Sequence, residues 1–233
     1  MIFHQLFEPE TSTFTYLLAD PDTREALLID PVLEEVDRYV ALLAELGLTL
    51  RYTLETHVHA DHVTAGGALR ERLGSRSVVH ADGGAACADV PVRDGDAVVV
   101  GGLTLQVRET PGHTSGCVSY VMGDRVFTGD ALLIGGCGRT DFQGGDAARL
   151  YDSLHRQIFS LPPEIVVYPG HDYKGRTAST VGEELANNAR LGGGRSKADF
   201  VELMANLKLA YPKQIDRAVP ANLACGVTPA VQG

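Results

Sequence analysis

The chain has 233 residues, 44% of them hydrophobic, which is enough for a sizeable core and excludes a disordered chain. Its 20 basic and 30 acidic residues leave a net charge of −10, which excludes the basic footprint of a sequence-independent nucleic-acid binder, though not a local basic pocket for an anionic ligand. No apolar run approaches the roughly 20 residues of a membrane-spanning helix, and Met1 to Phe7 has neither the basic nor the apolar region of a signal peptide, so a cytoplasmic protein with no membrane partner is expected.

In chain order, strands are expected at Phe14 to Leu18 and Ala26 to Asp30, rich in β-branched, aromatic and aliphatic residues. Leu33 to Leu46 reads as a helix, with Val36, Tyr39, Val40, Leu43 and Leu46 on one face and Gly47 ending it. A strand at Tyr52 to Glu55 follows, then a helix from Val63 to Leu73 closed by Gly74. Strands come next at Val78 to His80, Ala97 to Val100, Leu103 to Val107, Val118 to Val121 and Arg125 to Phe127. Gly101-Gly102 and Gly123-Asp124 have the composition of hairpin turns between two pairs of them. Ala147 to Phe159 carries Leu150, Tyr151, Leu154 and Ile158 at helical spacing and stops before Pro162-Pro163. A strand at Ile165 to Tyr168, a glycine-rich surface loop at Gly192-Gly193-Gly194 and a last helix at Lys197 to Leu209 complete the pattern. Antiparallel hairpins interspersed with helices predict an α/β protein of mixed sheets with helices on the outer faces, as one domain over 1–233. The four cysteines, Cys87, Cys117, Cys137 and Cys225, show neither CxxC spacing nor a disulfide framework, and all four are expected to be reduced.

The sharpest signal is Thr56-His57-Val58-His59-Ala60-Asp61-His62, which places three of the eight histidines beside a carboxylate on an expected strand-to-helix loop. His57 and His59, as alternate residues, can point the same way, with Asp61 and His62 turned to another side. Neutral imidazole and anionic carboxylate suit zinc, iron or manganese. The plain alternative is a polar turn in which Asp61 caps the following helix. Three further sites follow strands in the same manner: His113 in Pro111-Gly112-His113-Thr114, Asp130 in Thr128-Gly129-Asp130, and His171 in Pro169-Gly170-His171-Asp172. A single histidine after a strand is weak evidence, but four such sites beside Gly or Ala point to one pocket. His4, His80 and His155 have no such context.

His-x-His-x-Asp-His followed by His113, Asp130 and His171 resembles the signature of the metallo-β-lactamase fold, which implies an αββα sandwich with a metal site at the sheet edge. Two subfamilies compete. In glyoxalase II-like hydrolases all seven residues hold two metals, with Asp130 bridging, for the cleavage of a glutathione thioester. In persulfide dioxygenases one Fe(II) per chain is held by positions matching His57, His113 and Asp130, with His59, Asp61, His62 and His171 around them in support. This chain retains all seven, so the ligands alone do not separate the two. Gly135 to Gln143, Gly170 to Gly175 and Pro212 to Asn222 resemble the dioxygenases, and the chain stops short of the helical tail of glyoxalase II.

That resemblance implies glutathione persulfide and O2 as substrates, sulfite and glutathione as products, and a homodimer as the candidate assembly. Arg139 and Tyr173, in motifs matching the family, are the candidates for holding glutathione, since a guanidinium suits a carboxylate through two parallel hydrogen bonds. Neither Cys137 nor Cys225 is assigned a catalytic role, because the sulfur oxidised belongs to the substrate. A metal-bound module without turnover is the remaining class, disfavoured by so many converging titratable groups.

Overall fold

The strand-forming runs all pair, most of them a residue or two beyond their expected ends. The computed structural model describes residues 1–227. The elements are β1 (Ile2–Glu8), β2 (Thr13–Ala19), β3 (Glu25–Ile29), α1 (Val36–Glu45), β4 (Thr49–Leu54), α2 (Gly66–Leu73), β5 (Arg76–His80), β6 (Val90–Val92) and β7 (Ala97–Val100). They continue with β8 (Leu103–Glu109), β9 (Val118–Met122), β10 (Arg125–Gly129), α3 (Ala147–Gln157), β11 (Val166–Pro169), β12 (Ser179–Thr180), α4 (Val181–Asn187), α5 (Lys197–Ala205) and α6 (Ile215–Leu223). Two compact units result: Met1–Val92 with Val99–Thr104 and the segment from Tyr211, and Arg93–Val98 with Leu105–Ala210.

The first unit contains the sheet β1-β2-β3-β4-β5-β6. Its pairing is antiparallel as far as β3 and parallel from there on. β2 is buried at every residue, which explains the unbroken run Tyr16 to Ala19; strands covered on both faces do not alternate. Val36, Tyr39 and Leu43 of α1 and Leu69 of α2 pack on Leu17, Ala19, Ala26, Leu28 and Leu50, each large side chain contributing about 1.5–3 kcal/mol. Tyr39 is a buried polar exception that is satisfied locally. Its hydroxyl accepts from the Val32 N–H at 3.1 Å and meets Thr15 Oγ1 at 2.9 Å, and burial pushes its pKa up to about 12. α6 adds Ala218 and Ala221 against Val63.

The other sheet runs β12-β11-β10-β9-β8-β7, its strands β9 to β12 within the second unit, and a parallel β10–β11 pair lies among antiparallel ones. Asp146 caps α3 by accepting the Arg149 N–H, the preferred use of an aspartate at a helix start. Leu150, Leu154 and Ile158 then form a cluster with Val126, Val167, Phe200 and Met204. The glycines expected at hairpins, Gly101 and Gly123, do take left-handed backbone (φ +53° and +56°).

Several expectations need correction. Cys87 and Cys225 form a disulfide across a sequence separation of 138, so the expectation of four reduced thiols holds only for Cys117 and Cys137. Spacing gave no sign of it because the partners meet only through the tertiary fold. The helix from Val63 begins at Gly66, with Ala65 as its N-cap residue, so Asp61 is not its cap. The helix at Lys197 ends at Ala205 and is not the last, since α6 follows it. Gly192 is buried, so that loop is only partly on the surface. Among the described residues no helix is long and apolar enough to cross a membrane.

Candidate metal centre

In the first unit the Thr56–His62 loop is organised by Asp30, which follows β3 and which sequence reading did not single out. Asp30 is buried and takes left-handed backbone (φ +50°), unusual for a residue other than glycine. Its Oδ1 accepts the Thr56 N–H at 2.7 Å and its Oδ2 accepts the Thr56 hydroxyl at 2.8 Å. The same Oδ1 lies 3.1 Å from His59 Nε2, and Glu55 Oε2 lies 3.3 Å from that nitrogen. Burial alone would depress the His59 pKa, but Asp30 above all, then Glu55, outweigh it and hold it well above the ordinary value. The signal available in sequence was the Asp-Pro that ends an apolar strand, which reads as a turn until Thr56 is seen beside it.

The three imidazoles of this loop lie side by side in sequence order, each tilted against the next. Ring centroids are 4.1 Å apart for His57 and His59, and 4.3 Å apart for His59 and His62. Asp61 Oδ2 holds His62 Nδ1 at 2.8 Å, and the Thr56 hydroxyl is 3.0 Å from His57 Nδ1. One ligand atom from each of His59, Asp61 and His62 lies within 4.8 Å of the others. His59 Nδ1 and His62 Nε2 are buried with no hydrogen-bond partner. A ring nitrogen left bare while the other is fixed by a carboxylate is the arrangement of a metal-binding imidazole. The donor chemistry therefore fits a divalent cation.

In the second unit Asp130 lies just after β10 and is bracketed by two histidines. Its Oδ1 accepts from His171 Nδ1 at 2.6 Å, and its Oδ2 is 3.8 Å from His113 Nε2. His113 Nδ1 is 2.7 Å from the Arg139 carbonyl, which can only accept. A proton therefore sits on Nδ1, and in the neutral ring Nε2, which faces the carboxylate, carries the lone pair. Two motif glycines make room for this. A Cβ on Gly170 would lie 2.7 Å from Asp130 Oδ1, and one on Gly138 would lie 2.7 Å from His113 Nδ1. Asp172 fixes the loop after His171 by accepting the backbone N–H groups of Lys174 and Arg176 at 2.8 and 2.7 Å. Burial would raise its pKa, but these bonds and the Arg176 guanidinium prevail and lower it.

The expected glutathione contacts lie in different settings. Tyr173 is 72% exposed and stacks on His171 with centroids 6.0 Å apart. Arg139 is already engaged: Nε and Nη2 donate to the two Asp141 oxygens at 2.6 and 2.8 Å, and Nη1 donates to the Ala210 carbonyl at 2.7 Å. This intramolecular pair lowers the Asp141 pKa.

The metallo-beta-lactamase superfamily model matches residues 9–171. Over 97% of this chain and 89% of the relative, the sequence is 53% identical to the human protein named persulfide dioxygenase ETHE1, mitochondrial. The chain belongs to the persulfide dioxygenase family of the metallo-beta-lactamase superfamily. The solved structure of ETHE1 from Myxococcus xanthus shares 59% identity with this family member at a TM-score of 0.95, covering 97% of this chain and 100% of that one. A more distant relative, TTHA1623 in a di-iron-bound form, is 31% identical at a TM-score of 0.66 over 79% of this chain and 98% of its own. The two mixed sheets and their helices are those of the metallo-beta-lactamase fold, and its histidine and aspartate groups provide this dioxygenase family member with the means to hold a metal.

Proposed function

We propose that the chain is a glutathione-dependent persulfide dioxygenase using one Fe(II), held by His57, His113 and Asp130. The observation that carries this reading is the 53% identity to a persulfide dioxygenase across 97% of the chain. In the reaction, glutathione persulfide, O2 and water give glutathione, sulfite and two protons, both atoms of O2 going to the terminal sulfur. The two imidazoles and the carboxylate would hold the Fe(II), which would supply redox chemistry toward O2. In this reading the two units work as one domain over 1–233.

The chain's own residues then have separate tasks. The Arg139 carbonyl keeps His113 in the tautomer whose Nε2 can bind a cation. His171 orients Asp130 through the 2.6 Å bond to Oδ1. Asp30 and Glu55 anchor His59, and Asp61 anchors His62, so the loop carrying His57 keeps its course. Arg139 and Tyr173 bind the glutathione portion, a substrate carboxylate competing with Asp141 for the guanidinium fork. Arg139→Ala is then expected to raise KM about tenfold, with kcat changed far less, as loss of one charge-assisted contact predicts. Steady-state kinetics with glutathione persulfide check this; a kcat defect at normal KM would remove Arg139 from the binding role.

A second reading, a dinuclear hydrolase of a glutathione thioester, draws on the bare nitrogens of His59 and His62 beside Asp61. Oxygen-electrode measurements with glutathione persulfide, combined with metal analysis, separate the two. The dioxygenase consumes one O2 per sulfite and carries one iron per chain; the hydrolase turns over without O2 and carries two metals. The compartment proposed is the cytoplasm, where thiols are kept reduced, which exposes the Cys87–Cys225 bond to reduction.

A further inference from the structure

Asn222 on α6 is buried and uses its whole side-chain amide on one loop. Nδ2 donates to the His59 carbonyl at 2.9 Å and to the His62 carbonyl at 2.8 Å, and Oδ1 accepts the Thr64 N–H at 2.8 Å. One side chain thereby takes up three backbone groups in a stretch belonging to neither helix nor strand, where such groups need partners from elsewhere. The contact continues to the imidazoles: the Thr64 hydroxyl donates to Glu55, whose other oxygen faces His59 Nε2. Three residues beyond Asn222, Cys225 is bonded to Cys87, and its carbonyl accepts the Gly67 N–H at 2.7 Å. Asn222, Cys87, Cys225 and the loop all belong to the first unit.

We propose that Asn222 is a positioning residue for the His59–Thr64 loop, and that the Cys87–Cys225 bond maintains its grip, so that breaking that bond loosens metal binding. The proposal rests on the metal-centre reading above but not on the reaction assigned to it. Asn222 touches neither substrate nor metal; it fixes the backbone from which His59 and His62 project. Loss of the tether frees the end of α6, and loss of the amide unpartners two buried carbonyls and one N–H. Reduction by a dithiol such as dithiothreitol gives Cys87 and Cys225 one hydrogen each, while the dithiol closes to its own disulfide. Cys87 is only half-buried and lies in the loop between β5 and β6, within a reductant's reach.

The test compares the Fe(II)-loaded wild type with Asn222→Asp and Cys87→Ser under anaerobic conditions. Asn222→Asp is nearly isosteric: it still accepts from Thr64 but turns an oxygen toward the two carbonyls. Release of Fe(II) to a colorimetric chelator is expected to be about tenfold faster in Asn222→Asp and several-fold faster in Cys87→Ser, the scale on which groups supporting metal ligands act. The visible absorption of the Co(II)-substituted protein should shift in Asn222→Asp. Dithiothreitol should accelerate release from the wild type to the Cys87→Ser rate and leave Cys87→Ser unchanged. Wild-type release and an unshifted Co(II) spectrum in Asn222→Asp would overturn the positioning role, even if its melting temperature fell. Equal release from oxidised and reduced wild type would overturn the tether. None of these readings uses persulfide, so failed oxygen uptake beside altered release would sink the assigned reaction and spare the clamp.

Discussion

Asp130→Ala is expected to abolish iron retention and to lower persulfide-dependent oxygen uptake by at least about a thousandfold, the scale set by losing several kcal/mol of metal-derived stabilisation. Removing the carboxylate does more than delete a proposed ligand. It removes the oxygen that holds His171 Nδ1 at 2.6 Å and takes away the charge that faces His113 Nε2 at 3.8 Å. His171 is itself buried, so its N–H would lose its acceptor away from solvent. Asp130→Asn separates the two effects, because an amide oxygen can still accept from His171 while the negative charge is gone. Iron per chain and oxygen uptake should fall in both variants, with the fold better preserved in the asparagine. Near-wild-type iron in Asp130→Ala would take Asp130 out of the ligand set.

Gly138→Ala tests the same centre by volume instead of charge. The added Cβ would lie 2.5 Å from the Asp130 carbonyl oxygen, and 2.7 and 2.9 Å from Nδ1 and Cγ of His113. No such contact survives in a folded protein, so either the His113 ring turns or the Asp130 backbone moves. Turning the ring sacrifices its 2.7 Å bond to the Arg139 carbonyl, and moving Asp130 sacrifices the 2.7 Å bond that its carbonyl accepts from the Gly138 N–H. Overpacking of this kind costs about 1–3 kcal/mol, or roughly 2–12 °C in Tm for a chain of this size. Displacement of a reacting group by about 1 Å costs on the order of a hundredfold in rate. Thermal unfolding and kcat should therefore both fall, the second far more. A variant with wild-type kcat would show that His113 does not need its present position.

What sequence made legible follows the range of the interactions concerned. Val118 to Val121 and Arg125 to Phe127 pair as expected around Gly123, because turn chemistry and β-branching act over a few residues. The histidine loop, too, was readable as a cluster, since its three imidazoles and Asp61 are near neighbours in the chain. β1 was missed: its residues alternate poorly, and its first four are only half-buried. α6 carries Pro220 inside it, which argues against a helix until its packing against Val63 is known. Asp30, Asn222 and the Cys87–Cys225 pair were beyond reach for one shared reason. Asp30 meets Thr56 from 26 residues away, Asn222 meets His62 from 160, and Cys225 meets Cys87 from 138. Arg139 is the reverse case, since Asp141 sits two positions on and could have been read as its partner.

The 160 residues between His62 and Asn222 also bear on how the protein is made. At about 5–20 residues per second, a ribosome needs roughly 8–32 s to travel that distance. Throughout that interval the histidine loop lacks the amide that ties it down, and Cys87, once made, waits a further 138 residues for its partner. Metal loading before the chain is released would therefore meet an unfinished cradle, and the order of synthesis favours capture of the ion after translation has ended.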